Sequence, residues 1–122
     1  MNRIIHFEIN AEDPEKIAAF YTKVFNWSIN KWEGLIEYWL ATTGNKNEAG
    51  IDGGIMRKEE GVPRTVNTIG VKSVDEFIER IINSGGTLLR PKSAVPGVGY
   101  FAYCTDPEGT VFGIMENDPE AK

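Results

Sequence analysis

The order strand, helix, strand, strand, strand occurs twice along this chain. Both runs end alike, in Gly53-Gly54-Ile55-Met56-Arg57 and in Phe112-Gly113-Ile114-Met115-Glu116. A chain patterned this way is constrained to two similar modules, each burying one face of a four-stranded sheet under a single helix. In the first run, Ile5, Phe7 and Ile9 alternate with Ile4, His6 and Glu8, the period of a strand. Asp13-Pro14 then reads as an N-cap with proline at the first helical position. Ile17, Phe20, Tyr21 and Val24 fall on one face of the helix that follows. Residues 26–32, 37–44 and 50–58 supply three strands, the first two parted by a turn at Glu33-Gly34.

The second run opens with a strand over 65–73. Ser73 and Glu76 have capping-box spacing, Val74, Phe77, Ile78 and Ile81 share a helix face, and Gly85-Gly86 stops it. Strands follow at 87–90, 99–105 and 110–116, the last two joined by the turn sequence Asp106-Pro107-Glu108-Gly109. The predicted fold is α+β: one domain over 1–122, with βαβββ modules at 1–57 and 64–118. Their sheets are expected to form an incomplete barrel, a cup, with the helices on the outer face.

Alternation also sorts the strand residues by face. Ile5, Phe7, Ile9, Ile69, Val71, Phe101, Tyr103, Phe112 and Ile114 are expected beneath the helices. The other face then carries His6, Glu8, Tyr38, Leu40, Gly54 and Met56 from the first module, and Thr68, Tyr100, Ala102, Cys104, Gly113 and Met115 from the second. That lining, apolar with a few polar groups, is what a small-molecule pocket needs. Gly54 and Gly113 occupy matching strand positions, where glycine marks either a close approach or a bend in a curved sheet. Trp39 is expected in the core. Trp32, beside the turn, is placed either to stack on a flat ligand or to pack at a dimer interface. Residues 91–99, rich in proline and glycine, read as a loop that is either a lid or a plain connection.

Charge and composition exclude several classes. A net charge of −5 leaves no nucleic-acid footprint. No apolar run reaches the ~18 residues of a membrane span, and the acidic start is unlike a signal peptide. The single cysteine, Cys104, rules out an internal disulfide and suits a cytoplasmic location; its simplest reading is a small buried hydrophobe.

The stretches HFEINAEDPEKIAAFYTKVFNW, GGIM and YFAYCTDPEGTVFGIME resemble the vicinal oxygen chelate superfamily, which groups glyoxalase I, bleomycin-resistance proteins and extradiol dioxygenases. The nearest likeness is to its small bacterial glyoxalase-like members. The resemblance implies a homodimer. It also implies a metal site with four ligands, a histidine on each module's first strand and a glutamate on each last strand. His6 matches the first of these. The second histidine position is expected at Thr68, and the glutamate positions at Gly54 and Gly113. Catalytic zinc sites take about three protein ligands, and neither glycine nor threonine serves. No metal and no cofactor are therefore expected.

His6 and Glu8, two apart on one strand face, are open to three uses: contact with a ligand, a structural hydrogen bond, or acid–base chemistry. The expected ligand-binding residues are His6, Glu8, Trp32, Tyr38, Tyr100 and Met115. The function this supports is metal-independent binding of a small, partly apolar molecule in the cup. The alternative is a lyase or isomerase of the glyoxalase type, using either a rearranged metal site or His6 and Glu8.

Overall fold

The computed structural model describes residues 1–34 and 36–122. Its elements are β1 (Ile4–Ala11), α1 (Pro14–Phe25), β2 (Ser28–Lys31), β3 (Trp39–Thr42), β4 (Gly53–Arg57), β5 (Thr65–Gly70), α2 (Val74–Asn83), β6 (Thr87–Val95), β7 (Gly99–Thr105) and β8 (Val111–Asn117). The fold class is α+β and the βαβββ order occurs twice. The chain divides into two compact units: His6–Val66, the first unit, and Met1–Ile5 with Asn67–Lys122, the second. Among the described residues no helix is long and apolar enough to cross a membrane.

In the first unit the strands run in the order β2-β3-β4-β1, with β1 parallel to β4 and the other pairs antiparallel. The Asp13 side chain accepts from the backbone N–H of Lys16, Pro14 opens the helix, and Asn26 closes it in the left-handed region at φ 61°. Helix α1 covers the sheet face bearing Ile9, Ala11, Trp39 and Ile55, where Ile17, Ala18 and Ile29 complete the cluster. The alternation expected for this unit holds: Phe7 and Ile9 lie on the helix side, His6 and Glu8 on the other.

The second unit repeats the arrangement in the order β5-β8-β7-β6, with β5 parallel to β8. Ser73 caps α2 by accepting from the N–H of Glu76. The N–H of Val74 donates to Glu116 Oε1 at 2.9 Å, so a β8 carboxylate ties down the positive end of the helix. Gly85, at φ 96°, ends it. Phe77, Ile78 and Ile81 pack on a cluster of Val71, Val74, Ala102, Cys104 and Ile114, with Ile69, Tyr100 and Phe112 around it.

That cluster corrects the reading of β7 by one residue. Tyr100, Ala102 and Cys104 lie on the α2 side, while Phe101 and Tyr103 share the opposite face with their β8 partners Met115 and Gly113. Every residue from Tyr100 to Cys104 is apolar or aromatic, so alternation within β7 does not choose a face. The pairing with β8 chooses it, by setting Ala102 against Ile114. Cys104 is a fully buried hydrophobe, as its simplest reading has it, and burial pushes its thiol pKa up.

The lid-or-connection reading of residues 91–99 is also corrected. Residues 91–95 continue β6, pairing Ser93 with Phe101, Ala94 with Tyr100 and Val95 with Gly99. Pro91 is tolerated because β6 is an edge strand and the register shifts between Arg90 and Ser93, where no ladder donor is required of it.

Candidate functional site

On the first unit's sheet face away from α1, a phenol meets an imidazole. His6, near the start of β1, and Tyr38, one residue before β3, approach to 2.6 Å between Nε2 and the hydroxyl. The rings are nearly parallel, 15° apart. The phenol donates when the imidazole proton sits on Nδ1 and accepts in the other tautomer. Tyr38 is held by Trp32. Its carbonyl accepts from the N–H of Trp32 at 2.7 Å, and the Trp32 ring meets its ring edge-on at 82°. Trp32 itself folds over Gly34, where any added Cβ would overlap the indole.

Gly54 explains how the phenol can lie there. In the ladders, Gly54 is paired with Glu8 on one side and with Leu40 on the other. A Cβ built on Gly54 would overlap the Tyr38 hydroxyl and ring. The glycine is thus a close-approach glycine, and what approaches is a side chain of the same unit.

Burial sets the electrostatics. Loss of hydration lowers the His6 pKa below its ordinary value, against a smaller upward pull from Asp52. Burial, then the Glu8 charge, pushes the Tyr38 phenol well above its ordinary range. At neutral pH the site therefore presents a neutral imidazole, a protonated phenol and the Glu8 carboxyl on one sheet face. Asp52 had no signal in the sequence. It is placed by accepting from the Thr43 N–H at 2.9 Å and from the Thr43 hydroxyl.

The expected site residues divide accordingly. His6, Tyr38 and Trp32 form one continuous group, and Glu8 adds its charge to it. Met115 lies on the corresponding face of the second unit, opposite Phe101. Tyr100 does not: it belongs to the α2 side, and Lys92 Nζ stands 4.4 Å from its ring centroid.

The structural repeat shows where a second histidine would have to stand. Asp13 and Ser73, the two N-caps, are sixty residues apart. The pairings Glu8–Gly54 and Thr68–Gly113 give the same offset for the first strands. The counterpart of His6 is therefore Val66, and Thr68 is the counterpart of Glu8. Pairing with the last strand likewise matches Leu40 to Tyr103, and hence Tyr38 to Phe101. By that offset, the four ligand positions that the resemblance implies fall at His6, Gly54, Val66 and Gly113. Three carry no donor side chain, and the fourth is bonded to Tyr38. These residues do not fit the metal. Among the described residues no group of three or more His, Cys, Asp or Glu side chains is placed to hold an ion.

Known proteins share the sequence pattern and the fold. Residues 3–114 match the family model described as Glyoxalase/Bleomycin resistance protein/Dioxygenase superfamily. The chain is 26% identical over 113 residues to the "Putative glyoxylase CFP32" of Mycobacterium bovis and of Mycobacterium tuberculosis. The match covers 89% of this chain and 43% of those proteins, so the chain spans under half the length of the curated relatives it matches. Among solved structures, the hypothetical protein BH1468 of Bacillus halodurans superposes with a TM-score of 0.70 at 17% identity, covering 99% of this chain and 98% of that one. A Streptomyces coelicolor methylmalonyl-CoA epimerase, in complex with 2-nitronate-propionyl-CoA, gives 0.71 at 14% identity over 100% and 99%. The Mycobacterium tuberculosis methylmalonyl-CoA epimerase gives 0.66 at 14% over 94% and 87%. At these identities the likeness is one of fold.

Proposed function

The chain belongs to the glyoxalase/bleomycin resistance protein/dioxygenase superfamily, and from that premise we propose that it binds a small, partly apolar molecule without a metal ion. The ligand sits on the first unit's sheet face, against His6, Glu8 and Tyr38, with Trp32 beside it. The observation that carries this reading is the His6–Tyr38 hydrogen bond over Gly54. The superfamily's metal ligand is here engaged by a neutral hydroxyl, which leaves a surface of ring faces and neutral polar groups beside the Glu8 carboxyl. Leu40, 45% exposed on the same face, extends the apolar part. Such a surface suits a molecule with a flat or branched apolar body and one or two hydrogen-bonding groups. We propose further that the protein works as a cytoplasmic homodimer.

A second reading, proton transfer as in an isomerase or lyase, is favoured by the lowered His6 pKa. A neutral imidazole beside a carboxyl can accept a proton at neutral pH. The epimerases of the same fold are named for acyl-CoA substrates, and carbon acids of that kind are the class to try first.

A screen of small aromatic and heterocyclic compounds, by tryptophan fluorescence and thermal shift on chelator-treated protein, tests the binding reading. A specific ligand at 100 times its dissociation constant stabilises the fold by ~2.7 kcal/mol. His6→Ala is expected to weaken it tenfold or more, while the exposed Lys46→Ala leaves it unchanged. Retained affinity in His6→Ala, or a ligand mapped to the α1 side, sinks the assignment. Loss of stereochemical integrity or solvent deuterium uptake by an acyl-CoA thioester, abolished in His6→Ala, moves the function to the second reading.

A further inference from the structure

We infer that Tyr38 is the residue that keeps a divalent metal out of the first unit, by filling the volume that a carboxylate on Gly54 would need and by bonding the nitrogen that His6 would offer. The inference deepens the metal-independent reading and rests on it. Three observations combine. His6 and Glu8 are alternate residues of β1 and project to one face, and Gly54 is the β4 partner of Glu8, so a side chain at 54 would join them. A catalytic zinc site takes about three protein ligands, and imidazole nitrogens and carboxylate oxygens are both groups that bind zinc. Finally, the nearest obstruction to a side chain at 54 is the far end of Tyr38, which overlaps the first carbon that would be added.

The geometry therefore assigns the lack of a three-ligand set in the first unit to two positions acting together. Gly54 lacks the donor, and Tyr38 prevents the donor from being restored by one substitution. Tyr38 cannot easily swing away. It is 9% exposed, Trp32 closes on its edge, and its hydroxyl is bonded to His6. The phenol–imidazole pair stands in the metal's place, and the hydroxyl is bonded to the ring nitrogen whose lone pair the ion would have engaged.

The test compares four chelator-treated proteins: the natural chain, Gly54→Glu, Tyr38→Ala with Gly54→Glu, and that double variant with His6→Ala. Zinc binding is read by equilibrium dialysis and cobalt binding by its visible absorption. The natural chain and Gly54→Glu are expected to hold no more than background metal. The double variant is expected to take up one equivalent, at least a hundredfold more tightly than Gly54→Glu, and His6→Ala is expected to abolish it. Equal binding by Gly54→Glu and the folded double variant overturns the inference, as does a folded double variant that takes up nothing. Stoichiometric metal in the natural chain, lost in His6→Ala, overturns the metal-independent reading as well, so the two failures are distinguishable.

Tyr38→Ala alone provides a check that does not depend on the fate of Gly54→Glu. His6 is the only histidine in the chain, so its modification by diethyl pyrocarbonate is followed without ambiguity. With Tyr38 removed, Nε2 is released and the rate of modification is expected to rise at least tenfold. An unchanged rate means the phenol does not occupy that nitrogen, and the inference falls.

Discussion

In the first copy of the βαβββ unit, Tyr38 lies over Gly54 and binds His6. In the second, Thr68 lies over Gly113, its hydroxyl 2.9 Å from where a Cβ would be, and the places of His6 and Tyr38 go to Val66 and Phe101. The two glycines are the same in sequence and differ in what covers them. One is covered by a long side chain from the residue before a neighbouring strand, the other by a short one from the strand beside it. The imidazole and the phenol belong to one copy, while the other carries an apolar and an aromatic group at those two points. The cores differ in a compensating way. Where β3 brings Trp39, α1 answers with Ala18. Where β7 brings Ala102, α2 answers with Ile78 at the corresponding helix position. Bulk moves between sheet and helix while the layer stays filled, as close packing requires.

The sharpest way to break this comparison is to give both glycines a methyl group. Gly54→Ala forces Tyr38 off its seat and is expected to cost about 1–3 kcal/mol, the usual range for overpacking. Gly113→Ala needs only a small shift of the Thr68 hydroxyl and is expected to cost less than half as much. Urea unfolding of both variants decides. Equal costs mean the coverings do not differ as described, and adding Tyr38→Ala is expected to remove most of the Gly54→Ala penalty.

Ligand affinity sharpens the same contrast. His6→Ala or Tyr38→Phe is expected to weaken a bound ligand tenfold or more, ~1.4 kcal/mol. Phe101→Leu, at the matching point of the second copy, is expected to leave it within about twofold, a conservative margin against the factor-of-ten scale. Titration by tryptophan fluorescence reads all three.

Stability without ligand is expected to change less. Tyr38→Phe removes one partly buried hydrogen bond and is expected to cost about 1 kcal/mol. Phe101→Tyr adds a hydroxyl with no imidazole opposite and is expected to bring no gain.

The smallest effect concerns pH. The His6 pKa in the folded chain lies below the ordinary 6.5 of the unfolded one. Above that value both states are neutral and this contribution to stability is complete. As pH falls from 6.5 through the folded pKa, the unfolded chain takes up a proton that the folded chain resists, so stability declines. Unfolding between pH 7.5 and 5 is expected to show this loss, and His6→Gln is expected to remove it. A pH profile identical in His6→Gln would place the titrating groups elsewhere.

Much of the fold could be read residue by residue. Asp13-Pro14 and Ser73 mark both helix starts because each supplies an acceptor where backbone N–H groups lack one. The β1 alternation places His6 and Glu8 because only one side of that strand is uniformly apolar. The position of Val66 was legible too, since the caps sixty residues apart carry His6 onto it; matching by local residue type points instead to Thr68. The face of β7 was not legible, because Tyr100 to Cys104 would suit either side and only pairing with β8 decides.

The chain's own sequence determined the repeated order of elements, the capped helix ends and the absence of donors at Gly54 and Gly113. These follow from local backbone chemistry and from which atoms a residue has. Tertiary structure alone decided that residues 91–95 complete an edge strand and that Tyr38 reaches His6 across thirty-two positions of chain. The contact exists because β4 sits between β1 and β3 and carries a glycine there, so a ring from beyond one strand can lie across the gap to an imidazole on the other. No local pattern encodes a vacancy that depends on three strands being side by side.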